Sequence, residues 1–198
     1  MEFLAKNKSW YFAIMIPVGI TLNLASGLLL TALKVPIFLD MIGTIVFTLV
    51  GGWRLGASIG VSSLLVGGLF NPVLPYFILS PVGIVAVTAI SAARGGFRLY
   101  WRVIVTGIVM GFVAAILSAP VVAGAFGGVT PSGESRLANN LVGPGKTLWT
   151  AVVTTKLWTE PIDKTIQCLL AVALLKSMPK RILELLRNFH GYLEKNCL

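Results

Sequence analysis

Residues 55–93 read LGASIGVSSLLVGGLFNPVLPYFILSPVGIVAVTAISAA and contain no charged residue and no histidine. A helix needs about 20 mostly apolar residues to cross the hydrocarbon core of a bilayer, so this run is long enough for two such helices. Asn71-Pro72 and Pro75 interrupt it near the middle, where proline disfavours a continuous helix. Runs 9–33 and 103–133 are also free of charge. The chain is therefore expected to be an all-α membrane protein.

The composition excludes a soluble domain. Hydrophobic residues make up 56% of the chain and charged residues 12%, whereas soluble domains carry roughly 25% charged residues. A chain of this length cannot bury three such runs from water, because small domains keep much of their surface exposed. The first run, at 25 residues, is longer than the apolar core of a signal peptide, which has about 7–15 residues, and it predicts a retained helix. We expect one membrane-embedded domain over residues 1–198.

The distribution of lysine and arginine predicts the orientation. If the N-terminus is cytoplasmic, eleven of these residues lie inside and five outside, which favours an N-in/C-in protein with an even number of spans. The same rule accounts for the net charge of +9 without nucleic-acid binding. Arg94, Arg98 and Arg102 form the strongest inner anchor. The six predicted transmembrane helices are 10–33, 37–53, 55–70, 75–93, 103–126 and 160–178, with a tight inner connection at Gly51–Arg54.

Small residues recur at a spacing of four, which lets membrane helices approach closely. One set is Gly52, Gly56 and Gly60; the other is Gly107, Gly111 and Ala115. Packing within this chain is the expected role, and a docking face for another membrane subunit is the alternative. Residues 180–198 alternate leucines with basic residues, which indicates either an interfacial amphipathic tail or a solvated continuation of the last helix.

A few acidic residues lie near predicted helix ends. Asp40 follows Pro36 at the start of the second helix, and Glu160-Pro161 with Asp163-Lys164 opens the sixth. Because charge at membrane depth costs roughly 2.5–3.5 kcal/mol, such residues are candidates for function. The alternative is helix capping or local ion pairing, since an anion is stabilised at a helix N-terminus.

Polar and aromatic residues near the predicted outer side complete the candidate ligand site. Asn71 lies in an outer turn, and Tyr76 and Trp158 lie at the outer interface. A turn residue and an aromatic anchoring belt are the structural alternatives. Rings beside Asp40 and Glu160 suit a flat small molecule with polar edges.

The outer segment 127–159 and the rest of the chain carry no enzyme signature. Residues 148–155 are apolar on one side and are expected to dip into the membrane or to cover a pocket, with an unstructured loop as the alternative. Residues 140–147 read NLVGPGKT, but Asn140 replaces the first glycine of a phosphate-binding loop. The single histidine, His190, lies in the C-terminal tail. We predict no ATPase, no metal site, no cofactor and no catalytic residue.

Three stretches resemble the substrate-binding S components of energy-coupling factor (ECF) vitamin transporters. They are VPIFLDMIGT at 35–44, the glycine-rich third helix ending in Asn71-Pro72, and EPIDK at 160–164 followed by KSMPKR at 176–181. The resemblance covers most of the chain in layout. It implies a six-helix S-component-like bundle in the bacterial cell membrane, with a vitamin-sized pocket on the outer side.

The resemblance also implies partners and site residues. An S component delivers its ligand inside after docking on a transmembrane coupling protein with two ATPase subunits. The family carries an Ala-xxx-Ala docking motif on the first helix, where this chain has Gly19, Asn23 and Gly27. A pyridoxine (vitamin B6-type) ligand is the first expectation, followed by thiamine-like and riboflavin-like vitamins. The expected substrate-binding residues are Asp40, Asn71, Tyr76, Trp158, Glu160 and Asp163.

Two other functions stay open at this point. A membrane sensor or input domain would need an output domain after the last helix, and this chain ends about 20 residues beyond it. A stand-alone secondary transporter usually shows an internal inverted repeat, and the sequence shows none; a carboxylate-based membrane enzyme belongs with this alternative.

Overall fold

A computed structural model describes residues 8–32, 37–127 and 148–179, and these residues form helices and no strand. The helices are α1 (Lys8–Ala32), α2 (Ile42–Gly67), α3 (Leu79–Ala93), α4 (Tyr100–Ala125) and α5 (Leu148–Ser177), with a short 3-10 helix at Leu74–Phe77. The prediction of an all-α protein is therefore confirmed. The predicted tail at 180–198, the NLVGPGKT stretch and most of the outer segment lie outside the described residues.

Within the described part of the chain, four helical stretches are long and apolar enough to cross a membrane: Phe12–Leu30, Ile42–Gly67, Leu74–Ala93 and Tyr100–Ala125. Large apolar side chains such as Leu65, Ile90 and Ile116 are exposed on their surfaces, as expected for a protein that contacts lipid rather than water. α5 falls outside this group because charged residues interrupt its central turns. The structure thus supports a multi-helix membrane protein.

Helix α2 folds back on itself at Gly52, whose φ of 81° and ψ of 174° are not helical. Gly56 lies against Thr48, and Gly60 lies against Thr44, so the two arms, 42–51 and 53–67, are antiparallel. The predicted tight connection at Gly51–Arg54 is confirmed. At 1.5 Å per residue the arms are about 15 and 22 Å long, which is shorter than the hydrocarbon core of about 30 Å.

Replacing Gly52 by alanine is expected to destabilise the protein by about 1–3 kcal/mol, because its backbone conformation is almost restricted to glycine. Thermal unfolding of the purified protein in detergent measures the change. Gly124→Ala in α4 is the matched control, since an added Cβ there has no atom within 4 Å. It is expected to be neutral or mildly stabilising. Equal stability of the two variants would contradict the strained turn.

α1 packs on the α2 hairpin through Gly19 and Asn23, and Gly27 lies against Phe38 and Asp40 in the segment before α2. Gly19 lies against Ile59. The buried Asn23 amide donates to Thr44 Oγ1 and to Ser63 Oγ, both at 2.9 Å, so it joins α1 to both arms. These three positions face the interior of this chain, and their predicted role in docking another subunit stays a prediction.

α4 and α5 approach closely where α4 has Gly107 and Gly111. A Cβ at Gly111 would overlap the backbone of Pro161, and one at Gly107 would overlap the backbone of Thr165. Small residues therefore let the middle of α5 lie directly on α4, as expected for close helix packing in membranes.

Two predicted helix starts are wrong. α5 begins at Leu148 rather than at residue 160, so Pro161 lies inside the helix and Glu160 does not cap it. The apolar stretch 148–155 is the first part of this helix rather than an unstructured loop, and its expected role in entering the membrane or covering a pocket stays a prediction. α2 begins at Ile42, and no side chain caps it, so Asp40 precedes the helix without capping it. Proline is tolerated inside membrane helices because neighbouring groups satisfy the freed backbone.

Candidate functional site

One face of α5 carries five polar side chains in its central turns: Lys156, Glu160, Asp163, Lys164 and Gln167. Residues three or four apart lie on the same side of a helix, so this spacing lines them up along one stripe. All five are buried. Lysine, glutamate and aspartate are almost never fully buried unless they are paired, and each of these is paired.

Lys164 lies at the centre of the stripe and contacts three carboxylates. Its Nζ donates to Asp163 Oδ2 at 2.6 Å and lies 3.5 Å from Asp40 Oδ1 and 3.7 Å from Glu160 Oε2. Lys156 Nζ donates to the other oxygen of Glu160, Oε1, at 3.0 Å. We call these five charged residues the Lys164 cluster. With all groups ionised, two lysines and three carboxylates give it a net charge of −1.

Asp163 anchors the segment that leads into α2. Its Oδ1 accepts hydrogen bonds from the backbone N–H of Phe38 at 3.0 Å and of Leu39 at 3.1 Å. Its Oδ2 accepts one from Gln167 Nε2 at 2.8 Å. Gln167 Oε1 in turn accepts from the backbone N–H of Met41 at 3.0 Å. Asp163 is therefore occupied by contacts within the chain and acts as a clamp on residues 38–41.

The clamped segment includes a strained residue. Leu39 has a φ of 46°, an uncommon value for a residue with a side chain. Its carbonyl accepts a hydrogen bond of 2.6 Å from Ser26 Oγ of α1. Such a conformation persists only where the surroundings enforce it, and here contacts from α1 and α5 do so. The bend at Leu39 places the Asp40 carboxylate within ion-pair distance of Lys164.

Asp40 is the accessible carboxylate of the cluster. About 33% of its side chain is exposed, compared with 7% for Glu160 and 1% for Asp163. Its ion pair with Lys164, at 3.5 Å, is looser than the 2.6 Å pair of Asp163. A ligand that reaches the cluster would therefore meet Asp40 first.

The other predicted ligand residues have different surroundings. Asn71 Oδ1 accepts from the backbone N–H of Val73 at 3.2 Å, within its own turn. Tyr76 is exposed and packs edge-to-face on Phe126, with ring centroids 5.2 Å apart. Trp158 is 72% exposed and lies on the side of α5 away from Lys156 and Glu160. The structure thus brings together Asp40, Glu160 and Asp163, and binding roles for Asn71, Tyr76 and Trp158 stay predictions.

The structure adds three residues that the sequence analysis did not place in the site. Lys156 and Gln167 extend the stripe in both directions, and Ser118 of α4 donates to Glu160 Oε1 at 3.3 Å. The signal for the first two was their spacing, four residues before Glu160 and four after Asp163. The sequence analysis missed this spacing because it placed Lys156 in the outer segment 127–159, before the predicted start of the last helix.

Comparisons with known proteins add nothing to this geometry. No protein-family model matches the chain, and no curated protein or solved structure is similar to it. The case for function therefore rests on the cluster and on the sequence.

Proposed function

We propose that this chain binds a small water-soluble vitamin from the outer side of a bacterial membrane, as the substrate-specificity subunit of an ECF-type importer. One observation carries the proposal: a buried charged cluster lies in the middle of α5 and exposes a single carboxylate, Asp40, among its described members. Intramembrane ionisable residues mark binding or transport pathways by default.

A purely structural role explains the cluster less well. Desolvating a buried ion pair commonly offsets its attraction, so apolar residues of similar volume would hold the helices together at least as well. The presence of five charged groups at this position therefore supports a role in addition to helix packing. Asp163 performs the structural work of clamping residues 38–41, which leaves Asp40 available for a ligand.

The proposed topology is six spans with both ends in the cytoplasm. It is supported by the fold-back of α2 at Gly52, which turns one long helix into an inward and an outward arm. The turn is followed by Trp53, a residue type enriched at both membrane interfaces, and by Arg54, a type enriched on the cytoplasmic side. Since the arm 42–51 is only about 15 Å long, Asp40 then lies well below the outer membrane surface. A ligand from outside would have to enter the upper half of the bundle to meet it.

The charge of the cluster indicates the ligand class. Lys164 is surrounded by carboxylates, and the net charge of −1 disfavours an anionic ligand. Asp40 offers acceptor oxygens to an N–H, an O–H or a positive nitrogen. A pyridoxine-type vitamin, with a ring nitrogen and hydroxyl groups, is our first candidate, and thiamine is the next. ATP hydrolysis is assigned to two partner subunits, joined to this chain by a transmembrane coupling protein.

Asp40→Asn is expected to weaken binding of the vitamin by about 10- to 150-fold, because a hydrogen bond to a charged group contributes about 1.5–3 kcal/mol. A vitamin panel screened by thermal shift of the detergent-purified protein identifies the ligand, since binding to the folded state raises its stability. Titration calorimetry then compares the variants.

Trp101→Phe is the control for this test and is expected to change affinity less than twofold, because this exposed ring contacts Arg102 on α4 rather than the Lys164 cluster. Both variants should unfold near the wild-type temperature without ligand. A folded wild-type protein that responds to no vitamin in the panel would contradict the proposed function. A vitamin that binds Asp40→Asn as tightly as wild type would contradict the site.

A further inference from the structure

The backbone on both sides of Asp40 is held by side chains of α5. Asp163 Oδ1 accepts hydrogen bonds from the backbone N–H groups of residues 38 and 39. Gln167 Oε1, one turn further along the helix, accepts from the N–H of Met41 at 3.0 Å. Both side chains are buried. These contacts fix the peptide groups before and after Asp40 but not the one between residues 39 and 40.

Ser26 of α1 holds the peptide group between Leu39 and Asp40. Its Oγ donates to the carbonyl oxygen of Leu39 at 2.6 Å. The orientation of this peptide sets ψ of Leu39 and φ of Asp40, and these angles decide the direction in which the Asp40 side chain leaves the backbone. Leu39, with its φ of 46°, keeps such a conformation only where its surroundings enforce it. Ser26 therefore orients the carboxylate that the cluster exposes.

The Ser26 hydroxyl has two further acceptors within reach on its own helix. Oγ lies 2.7 Å from the carbonyl oxygen of Leu22 and 3.1 Å from that of Asn23. A hydroxyl carries one proton and donates it to one acceptor at a time. If the Leu39 carbonyl turned away, Ser26 would still be satisfied within α1. Its bond to Leu39 therefore adds little to folding, and its main effect is on the orientation of the Leu39 peptide.

α1 also contacts Asp40 at the residue that follows Ser26. A Cβ added to Gly27 would lie 3.5 Å from the Asp40 Cβ. The Asp40 Oδ1 lies 3.5 Å from Lys164 Nζ, and the Asp40 side chain is about 33% exposed. Asp40 thus contacts both α1 and α5 and remains accessible.

We infer that Ser26 is a positioning residue for ligand binding, which it supports by orienting the Asp40 carboxylate through the Leu39 peptide. The inference rests on the proposed function, because it assigns Ser26 a role in binding at Asp40. A binding group has to be held within about 0.5 Å of its productive position. A carboxylate next to a strained bend meets that requirement only when the peptide that carries it is fixed.

Ser26→Ala is expected to weaken vitamin binding about fivefold, the net contribution of one hydrogen bond. Its unfolding temperature without ligand should stay near that of wild type, whereas a purely structural role would lower it. Thr21→Val is the matched control and should change affinity less than twofold, because the Thr21 hydroxyl, also on α1, donates to Pro17 at 2.9 Å. Ser26→Thr keeps the hydroxyl and should bind within twofold of wild type. Titration calorimetry of the full-length protein in detergent measures all three.

A double-mutant cycle shows whether Ser26 acts through Asp40. Residues that act through one another have non-additive effects, so adding Ser26→Ala to Asp40→Asn should change affinity less than twofold further. A full fivefold loss in that background would overturn the inference, since Ser26 would then act elsewhere.

The outcomes also separate this inference from the proposed function. A wild-type protein that binds no vitamin would overturn the proposed function and, with it, the role of Ser26. Vitamin binding that is lost in Asp40→Asn but unchanged in Ser26→Ala would overturn the role of Ser26 alone. An equal loss of affinity in Thr21→Val would also overturn it, because the effect would then belong to α1 as a whole.

Discussion

Lys164→Met is expected to destabilise the folded protein by about 3–5 kcal/mol, the cost of leaving buried charges without their partner. Lys164 contacts Asp163, Asp40 and Glu160. Without it, the cluster holds three carboxylates and one lysine. Thermal or denaturant unfolding in detergent measures the loss, and the result would be a sharply lower unfolding temperature or a failure to purify as a folded protein.

Two further variants make this result specific. Lys176→Met removes an exposed lysine from the same helix, where the contact with Tyr100 contributes about 0.5–1 kcal/mol. Lys164→Met combined with Asp40→Asn restores the net charge of −1 and should recover part of the stability. If Lys164→Met is no less stable than Lys176→Met, the buried ion pairs contribute no net stability.

Asp163→Ala is expected to cost about 3–5 kcal/mol, because it removes a buried charge partner of Lys164 and leaves several donors unsatisfied. The donors are the backbone N–H groups of Phe38 and Leu39 and the amide of Gln167. Hydrogen exchange should show the local consequence, with faster exchange of the Phe38 and Leu39 amides even under conditions where most molecules remain folded.

Asp40→Ala is the matched control, since it removes the same charge from the same lysine. Its ion pair is longer and its side chain is one-third exposed, so a loss of no more than about 1 kcal/mol is expected. Unchanged exchange at Phe38 and Leu39 in Asp163→Ala would be inconsistent with the clamp.

Asp163 and Asp40 are expected to have different roles in the site. Asp163 has its oxygens committed to residues 38–41 and to Gln167, so its loss should affect stability first. Asp40 keeps an exposed face, so its loss should affect ligand binding first. Comparing stability with affinity across Asp40 and Asp163 variants separates structural support from ligand contact.

The fold class could be predicted from the sequence because the bilayer restricts which residues a membrane helix can contain. Charge-free runs predict membrane helices because lipid does not tolerate unpaired polar groups. The pair Gly51-Gly52 before Trp53-Arg54 predicted a turn, which the backbone of Gly52 confirms. The rarity of charge also pointed to Asp40, Glu160 and Asp163 as candidates.

The residue types at the predicted start of the last helix led to a wrong start for α5. Glu160-Pro161 resembles a helix start, since proline suits the first turn and an acid is favoured there. Membrane helices tolerate an internal proline, and here the helix continues upstream to Leu148. Because the helix extends to Leu148, Lys156 lies within it and pairs with Glu160 instead of lying in a loop.

By itself, the sequence determined that this is a helical membrane protein and which few carboxylates are candidates for function, because burial in lipid restricts both. Only the tertiary structure decided how these residues meet. Asp40 and Lys164 are 124 residues apart in the chain, and their contact depends on the bend at Leu39 and on the close packing of α4 and α5. No local pattern encodes such a pairing, since it arises from the way the helices pack around one lysine.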